Sequence, residues 1–280
     1  MNIIECNNIT QIYGKTCIYE DLSFKVKQGK VTGLLGKNGV GKSTIINIIM
    51  GFLKPNSGEC KIYGKNIDEL SLEEKSSIAL LLENHISYDF LSISQVEKLY
   101  AAHYKNRWQK DRYYELVGKL GVKFDQKLST LSCGQRSQVV LGLIFAQDPD
   151  LLILDDYAIG LDAGYRSLFV EYLKDFIKDT QKSVLMTTHI MSGLENLIDD
   201  IVILQNDKKA YQSSMSEFLL NLKGIECDLD FDEILINGEI TSITKLKNKK
   251  QIYGFFDIPN GVKQLNLSFE DAFLGFVGRY

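Results

Sequence analysis

The sequence predicts an α/β fold. A parallel sheet with helices on both faces is preceded by an antiparallel β subdomain, interrupted by a helical insertion and followed by a small α/β appendage. Three observations predict this. Residues 151–154 (LLIL), 183–186 (SVLM) and 201–204 (IVIL) are short aliphatic runs separated by helix-length spacers, the pattern of parallel strands joined by crossover helices. Residues 30–35 (KVTGLL) read as a strand that enters a glycine-rich loop, and residues 43–50 (STIINIIM) leave it without a breaker, as a buried helix does. Residues 224–265 alternate polar and apolar, with turn signals at Asn237-Gly238 and Asn260-Gly261.

Taken in order, residues 2–35 read as strands with turns, and residues 59–63 and 77–82 as two more strands. Ser71 with Glu74 forms a capping-box pattern for a short helix. Ser94 with Glu97 forms another, predicting a helical stretch to about Leu120. Together with a helix after Gly134, this places the helical insertion at about 84–145. The chain changes character after Gln205, which divides it into a unit over 1–205 and an appendage over 206–280. There is no internal repeat or low-complexity stretch.

A 280-residue chain with 45% hydrophobic residues buries a full core and has room for more than one unit. A net charge of −4 and a pI near 5.5 argue against a nucleic-acid partner. The five cysteines, Cys6, Cys17, Cys60, Cys133 and Cys227, form no CxxC and read as reduced thiols. No apolar run approaches the roughly 20 residues that cross a bilayer. The N-terminus has neither a basic start nor an apolar signal core. The expectation is a cytosolic protein that reaches a membrane only through a partner.

Residues 36–44 read GKNGVGKST, matching G-x-x-x-x-G-K-[ST] between a strand and a helix. Glycines let backbone N–H groups approach phosphates, and the helix that follows points its positive end at them. In this pattern Lys42 reaches the β- and γ-phosphates and Ser43 holds Mg²⁺. Downstream, the 151–154 strand ends in Asp155 and Asp156. A carboxylate at a strand end can reach the Mg²⁺ shell, and the next one points to where an attacking water would sit. Taken alone, the pair would read as a solvated turn. Behind a phosphate loop it reads as a metal and water site.

Residues 131–135, Leu131-Ser132-Cys133-Gly134-Gln135, lie between these two motifs and open an apolar helix. At this point the chain resembles the ABC ATPases, a P-loop NTPase family whose signature is LSGGQ. The resemblance covers residues 3 to about 205. It implies that ATP and Mg²⁺ are bound, that ATP is hydrolysed, and that Ser132, Gly134 and Gln135 close over the γ-phosphate held by a second subunit. It also implies that Gly36, Asn38, Gly39, Gly41, Lys42, Ser43 and Thr44 cradle the phosphates, with Ser43 and Asp155 on the metal. Tyr13 resembles the aromatic that stacks on adenine, although a lone tyrosine equally packs in a strand. Asp162, in Ile159-Gly160-Leu161-Asp162, resembles the loop that reads the partner subunit. His189, in Thr187-Thr188-His189, resembles the γ-phosphate sensor.

Three positions depart from the family pattern. Cys133 replaces the first glycine of the signature pair, so its side chain must point away from the phosphate. Asp156 stands where the family has glutamate and is followed by Tyr157 rather than proline. Glu83 stands where the family has a glutamine that touches Mg²⁺ and water, and a surface glutamate is the alternative there. Residues 268–280 (SFEDAFLGFVGRY) resemble the final helix of exporter-type members that serve antibiotics, lantibiotics and peptides, with a general likeness to Gram-positive exporters of amphipathic peptides such as the phenol-soluble modulin exporter.

The reading is an ATPase subunit whose ATP-driven dimerisation, as homodimer or heterodimer, powers a separately encoded membrane permease. It would lie peripherally on the cytoplasmic side of the membrane. The permease would read the surface from Glu83 to about Tyr100, where Tyr88, Phe90 and Leu91 offer an apolar seat or are ordinary core residues of the insertion. Two other readings stay open. One is a degenerate cassette that binds ATP and hydrolyses it poorly, which Asp156, Glu83 and Cys133 keep in view. The other is a soluble non-transport ABC ATPase, against which stand the single cassette and the acidic charge.

Overall fold

The computed structural model describes residues 1–82, 88–156, 163–178, 180–188, 191, 193–206 and 208–278. In chain order the elements begin with β1 (Asn2–Tyr13), β2 (Thr16–Lys27), β3 (Val31–Gly36) and α1 (Lys42–Ile49). They continue through β4 (Ser57–Ile62), α2 (Leu72–Ser76), β5 (Ile78–Leu81), α3 (Ile93–Tyr104), α4 (Lys110–Gly118) and α5 (Cys133–Ala146). Next come β6 (Leu151–Leu154), α6 (Ala163–Ile177), β7 (Ser183–Thr187), β8 (Asp200–Leu204), β9 (Ala210–Ser214) and α7 (Met215–Asn221). The chain ends with β10 (Lys223–Asp228), β11 (Gly238–Lys245), β12 (Lys249–Phe256), β13 (Lys263–Gln264) and α8 (Phe269–Val277).

The central sheet runs β5-β6-β7-β3-β8-β9. The first five strands are parallel and β9 is antiparallel to β8. Its parallel strands are apolar on both sides because both faces are covered, and successive side chains divide between two cores. Leu152, Leu154, Val184, Met186, Ile201 and Ile203 join the core built with α5, α6 and α8. Leu151, Ile153, Leu185, Val202 and Leu204 join the opposite core, with α1 and the antiparallel sheet β2-β1-β4. Each such side chain contributes about 1.5–3 kcal/mol by leaving water. The architecture is the P-loop NTPase fold that the sequence predicts.

The insertion has its own core, in which Ile93, Val96, Tyr113, Val117, Val139 and Leu143 meet. Its first helix starts two residues before the expected Ser94–Glu97 box. Ser92 caps it: the Ser92 Oγ accepts from Gln95 N–H at 3.2 Å and Gln95 Oε1 accepts from Ser92 N–H at 2.9 Å. That shift buries Ile93 completely and frees Glu97 to take the Trp108 indole N–H at 2.9 Å inside the insertion. The helical stretch is also broken at Lys105, whose φ of 47° no helix interior accommodates. Asp148 fastens the insertion to the sheet by accepting from Arg112 and from Lys182, each at 2.9 Å.

After β9 the chain builds a second, four-stranded sheet, β11-β12-β10-β13. The expected break after Gln205 falls inside the main sheet, since β9 continues it to Ser214. An edge strand reading AYQSS has no apolar run to announce it. We therefore propose that the appendage proper begins near Lys223. The appendage is not self-contained: Phe269, Phe273 and Phe276 of α8 pack into the main core beside Phe218. Asn237-Gly238 opens β11 rather than closing a hairpin.

Candidate functional site

Because β3, β6 and β7 are parallel and adjacent, their C-terminal ends lie on one side of the sheet, where ligands of open α/β sheets bind. β3 is buried along its whole length and delivers the loop that begins at Gly36. Gly41 is the N-cap of α1 with φ 106°, a conformation that side-chain-bearing residues rarely adopt. A β-carbon there would press on the Tyr19 ring and lie 2.7 Å from Ile18 Cγ2. Asn38, Gly39 and Ser43 are exposed, while Lys42 and Thr44 are half-buried. At Gly39 no described residue lies within 4 Å of where a β-carbon would stand, so among the described residues the mouth of the loop is open. Lys42 Nζ donates to the carbonyls of Gly36 at 2.8 Å and Lys37 at 3.1 Å, which folds the ammonium over the loop. An open cradle with a lysine turned into it fits a polyphosphate. Tyr13, at the tip of the β1–β2 hairpin, is 48% exposed and has a face available for stacking.

Asp155 directly follows β6 and is almost fully buried, and Asp156 after it is half-buried. Their geometry is set by a residue that the sequence reading passed over, Thr187 at the end of β7. Its hydroxyl donates to Asp155 Oδ1 at 2.7 Å and accepts from the Asp156 N–H at 2.8 Å. The Asp155 N–H is tied to Leu81 O at 2.7 Å on the other side. Asp156 adopts φ 49°, in the left-handed region that aspartate tolerates better than most residues. Asp155 is thus fixed at the same end of the sheet as the phosphate loop, with β7 between its strand and β3. Thr187 could have been found from register: Leu154 pairs with Met186, which places residue 187 beside Asp155. A buried hard oxygen donor at the same sheet end as the exposed Ser43 suits Mg²⁺, which takes few protein ligands and otherwise phosphates and water.

The signature stands at the start of α5. Ser132 is its N-cap, with Oγ accepting from the Gln135 N–H at 3.2 Å and Gln135 Oε1 accepting from the Ser132 N–H at 3.0 Å. Ser132 and Cys133 are exposed at this helix N-terminus, the end of a helix where an anion is favoured. Cys133 is exposed there as a free thiol. Gly134 has a packing reason of its own: a β-carbon would come within 2.9 Å of the Tyr165 ring of α6. Arg136 Nη1 lies 3.6 Å from Asp89 Oδ2, so the signature helix is paired with the segment proposed to face a permease. In that segment Phe90 is 71% exposed and Tyr88 38%, their rings edge to face, while Leu91 packs into the insertion core. A groove of about 270 Å³ beside them is lined by Tyr88, Leu99, Tyr100, His103 and Tyr104. Glu83, Asp162 and His189, also expected in the site, lie outside the described residues.

The family model described as "ABC transporter" matches residues 19–158, half of the 280-residue chain, from β2 through the phosphate loop and the signature to the paired aspartates. The chain belongs to the ABC transporter family. It is 35% identical over 210 residues to the uncharacterized ABC transporter ATP-binding protein YhcH of Bacillus subtilis (strain 168), covering 74% of this chain and 68% of that one. It is 27% identical over 302 residues to the bacitracin transport ATP-binding protein BcrA of Bacillus licheniformis, covering 99% and 97%. An ATP-binding cassette solved as a dimer in a post-hydrolysis state with ADP and Pi shares the fold, with a TM-score of 0.63 at 22% identity over 76% of this chain and 98% of that one. The ABC cassette described here is thus an ATP-binding ATPase of transporter type, similar to antibiotic-export members. No helix among its described residues is long and apolar enough to cross a membrane.

Proposed function

We propose that this ABC cassette binds ATP with Mg²⁺, dimerises around two such nucleotides and drives a separately encoded permease that exports peptides or antimicrobial compounds. The observation that carries this is the Asp155–Thr187–Asp156 cluster beside the strand that opens into the phosphate loop. Gly36, Asn38, Gly39, Gly41, Lys42, Ser43 and Thr44 would hold the phosphates, and Tyr13 the adenine. Ser43 and Asp155, with Glu83, would hold Mg²⁺, which supplies charge neutralisation at the phosphates when bound. Asp156 would orient the attacking water, with His189 near the γ-phosphate. Ser132, Gly134, Gln135 and Asp162 would complete the site of the facing subunit.

Export of peptides or antimicrobial compounds is supported by the near full-length match to BcrA and by the C-terminal helix α8. A permease seat is supported by Phe90, a large aromatic left in water beside an aromatic-lined groove. The cassette would then sit on the cytoplasmic face of the membrane without entering it. The test is copurification from membranes with the permease encoded beside it, using the parent and a Phe90→Ser variant. The parent should copurify and hydrolyse ATP faster with the permease than alone, and Phe90→Ser should lose most of that association while keeping its own ATPase rate. A parent that never associates with membranes would leave the proposal without its permease.

A further inference from the structure

We infer that Tyr19 is a positioning residue for the phosphate loop, tying the β1–β2 hairpin to the N-cap of α1 so that the cradle is formed before nucleotide arrives. Tyr19 is 1% exposed and is among the largest fully buried side chains. Its hydroxyl is the one polar tip of a ring set among apolar neighbours that include Ile4 and Ile45. That hydroxyl donates to the carbonyl of Gly41, which also accepts the Ile45 N–H at 3.0 Å. Burial pushes the phenol well above the ordinary tyrosine range, so at any working pH it carries its proton and acts as a donor.

If the loop moved away from this arrangement, a buried O–H would lose its partner, and an unsatisfied buried donor is costly. The bond therefore favours the loop geometry in which Gly41 has φ 106° and Lys42 begins the helix. The same hairpin holds Tyr13 exposed at its tip. One piece of sheet thus fixes both the aromatic face for the base and, through Tyr19, the cradle for the phosphates. A loop that samples other conformations binds with an affinity reduced by the fraction of time it is competent.

The inference rests on the assignment of ATP to this loop, and the experiment separates the two. The dissociation constants of ATP and ADP, together with KM and kcat, are measured for the parent and for Tyr19→Phe, which keeps the ring and removes only the hydroxyl. The melting temperature of each nucleotide-free protein is recorded as well. We expect both nucleotides to bind about fivefold more weakly to Tyr19→Phe, the equivalent of about 1 kcal/mol for one hydrogen bond. KM should rise with them, while kcat stays within about twofold. A lower melting temperature with unchanged nucleotide affinity would reduce Tyr19 to an ordinary core residue and overturn the inference. A drop in kcat at constant KM would overturn it too. A parent that binds neither nucleotide would overturn the ATP assignment itself.

Discussion

Lys42→Ala should abolish ATP hydrolysis, with turnover falling at least about a hundredfold, the scale of losing one charge-stabilising donor in an active site. Phosphoryl transfer leaves the protein little covalent chemistry to do, so catalysis is mostly positioning and stabilisation of charge. Lys42 contributes to both. Its ammonium would counter the β- and γ-phosphates, and its bonds to the Gly36 and Lys37 carbonyls tie it to the loop that would surround them. Nucleotide binding should weaken as well, since both roles are lost together. The checks are steady-state turnover and a nucleotide titration, with a melting curve to show that α1 still folds. Unchanged turnover would remove the phosphate-loop assignment and with it most of the mechanism.

Asp156 should show the second large effect. Asp156→Asn should be nearly inactive yet still bind ATP, because the amide keeps the shape and loses the charge proposed to orient water. Asp156→Glu is expected to hydrolyse ATP at least as fast as the parent, and up to about tenfold faster. Glutamate reaches roughly 1.5 Å further, and a misplacement of about 1 Å can cost about a hundredfold in rate. The structure adds a term against glutamate: residue 156 has φ 49°. A longer side chain in that region costs the fold about 1 kcal/mol, so Asp156→Glu should also melt at a slightly lower temperature. The measurement is kcat for the three forms at saturating ATP and Mg²⁺. A glutamate form clearly slower than the parent would mean that the Thr187 clamp has rebuilt the site around the shorter acid. An asparagine form with full activity would mean that another residue orients the water.

Most of the sheet was legible because its strands are covered on both faces and are therefore continuous aliphatic runs, as in β6, β7 and β8. β9 was not, because an antiparallel edge strand needs no such run. The insertion helix was legible as a helix, but its start was not. Two serine-headed boxes overlap between residues 92 and 97, and only the burial of Ile93 and Glu97 decides between them. In the site, the loop, the acidic pair and the signature stand out because their chemistry is contiguous in sequence. Thr187, Tyr165 and Tyr19 act across elements distant in sequence, so only the register of β7 with β6, the packing of α6 on α5 and that of β2 under α1 bring them into view. Gly134 illustrates the limit: the resemblance to the family signature implies close approach of a phosphate, and the fold supplies a second reason in the Tyr165 ring.

The central claim is that ATP forms part of an interface between two cassettes, in which the first turn of α5 would complete the site of the facing subunit. It is tested most directly by light scattering of the Asp156→Asn variant, in which nucleotide binds without being consumed. Without nucleotide the variant should scatter as a monomer of 31.7 kDa, and with ATP and Mg²⁺ the mass should double. A mass that is the same with and without ATP would contradict a sandwich of two copies of this chain and leave only a heterodimer with a second cassette.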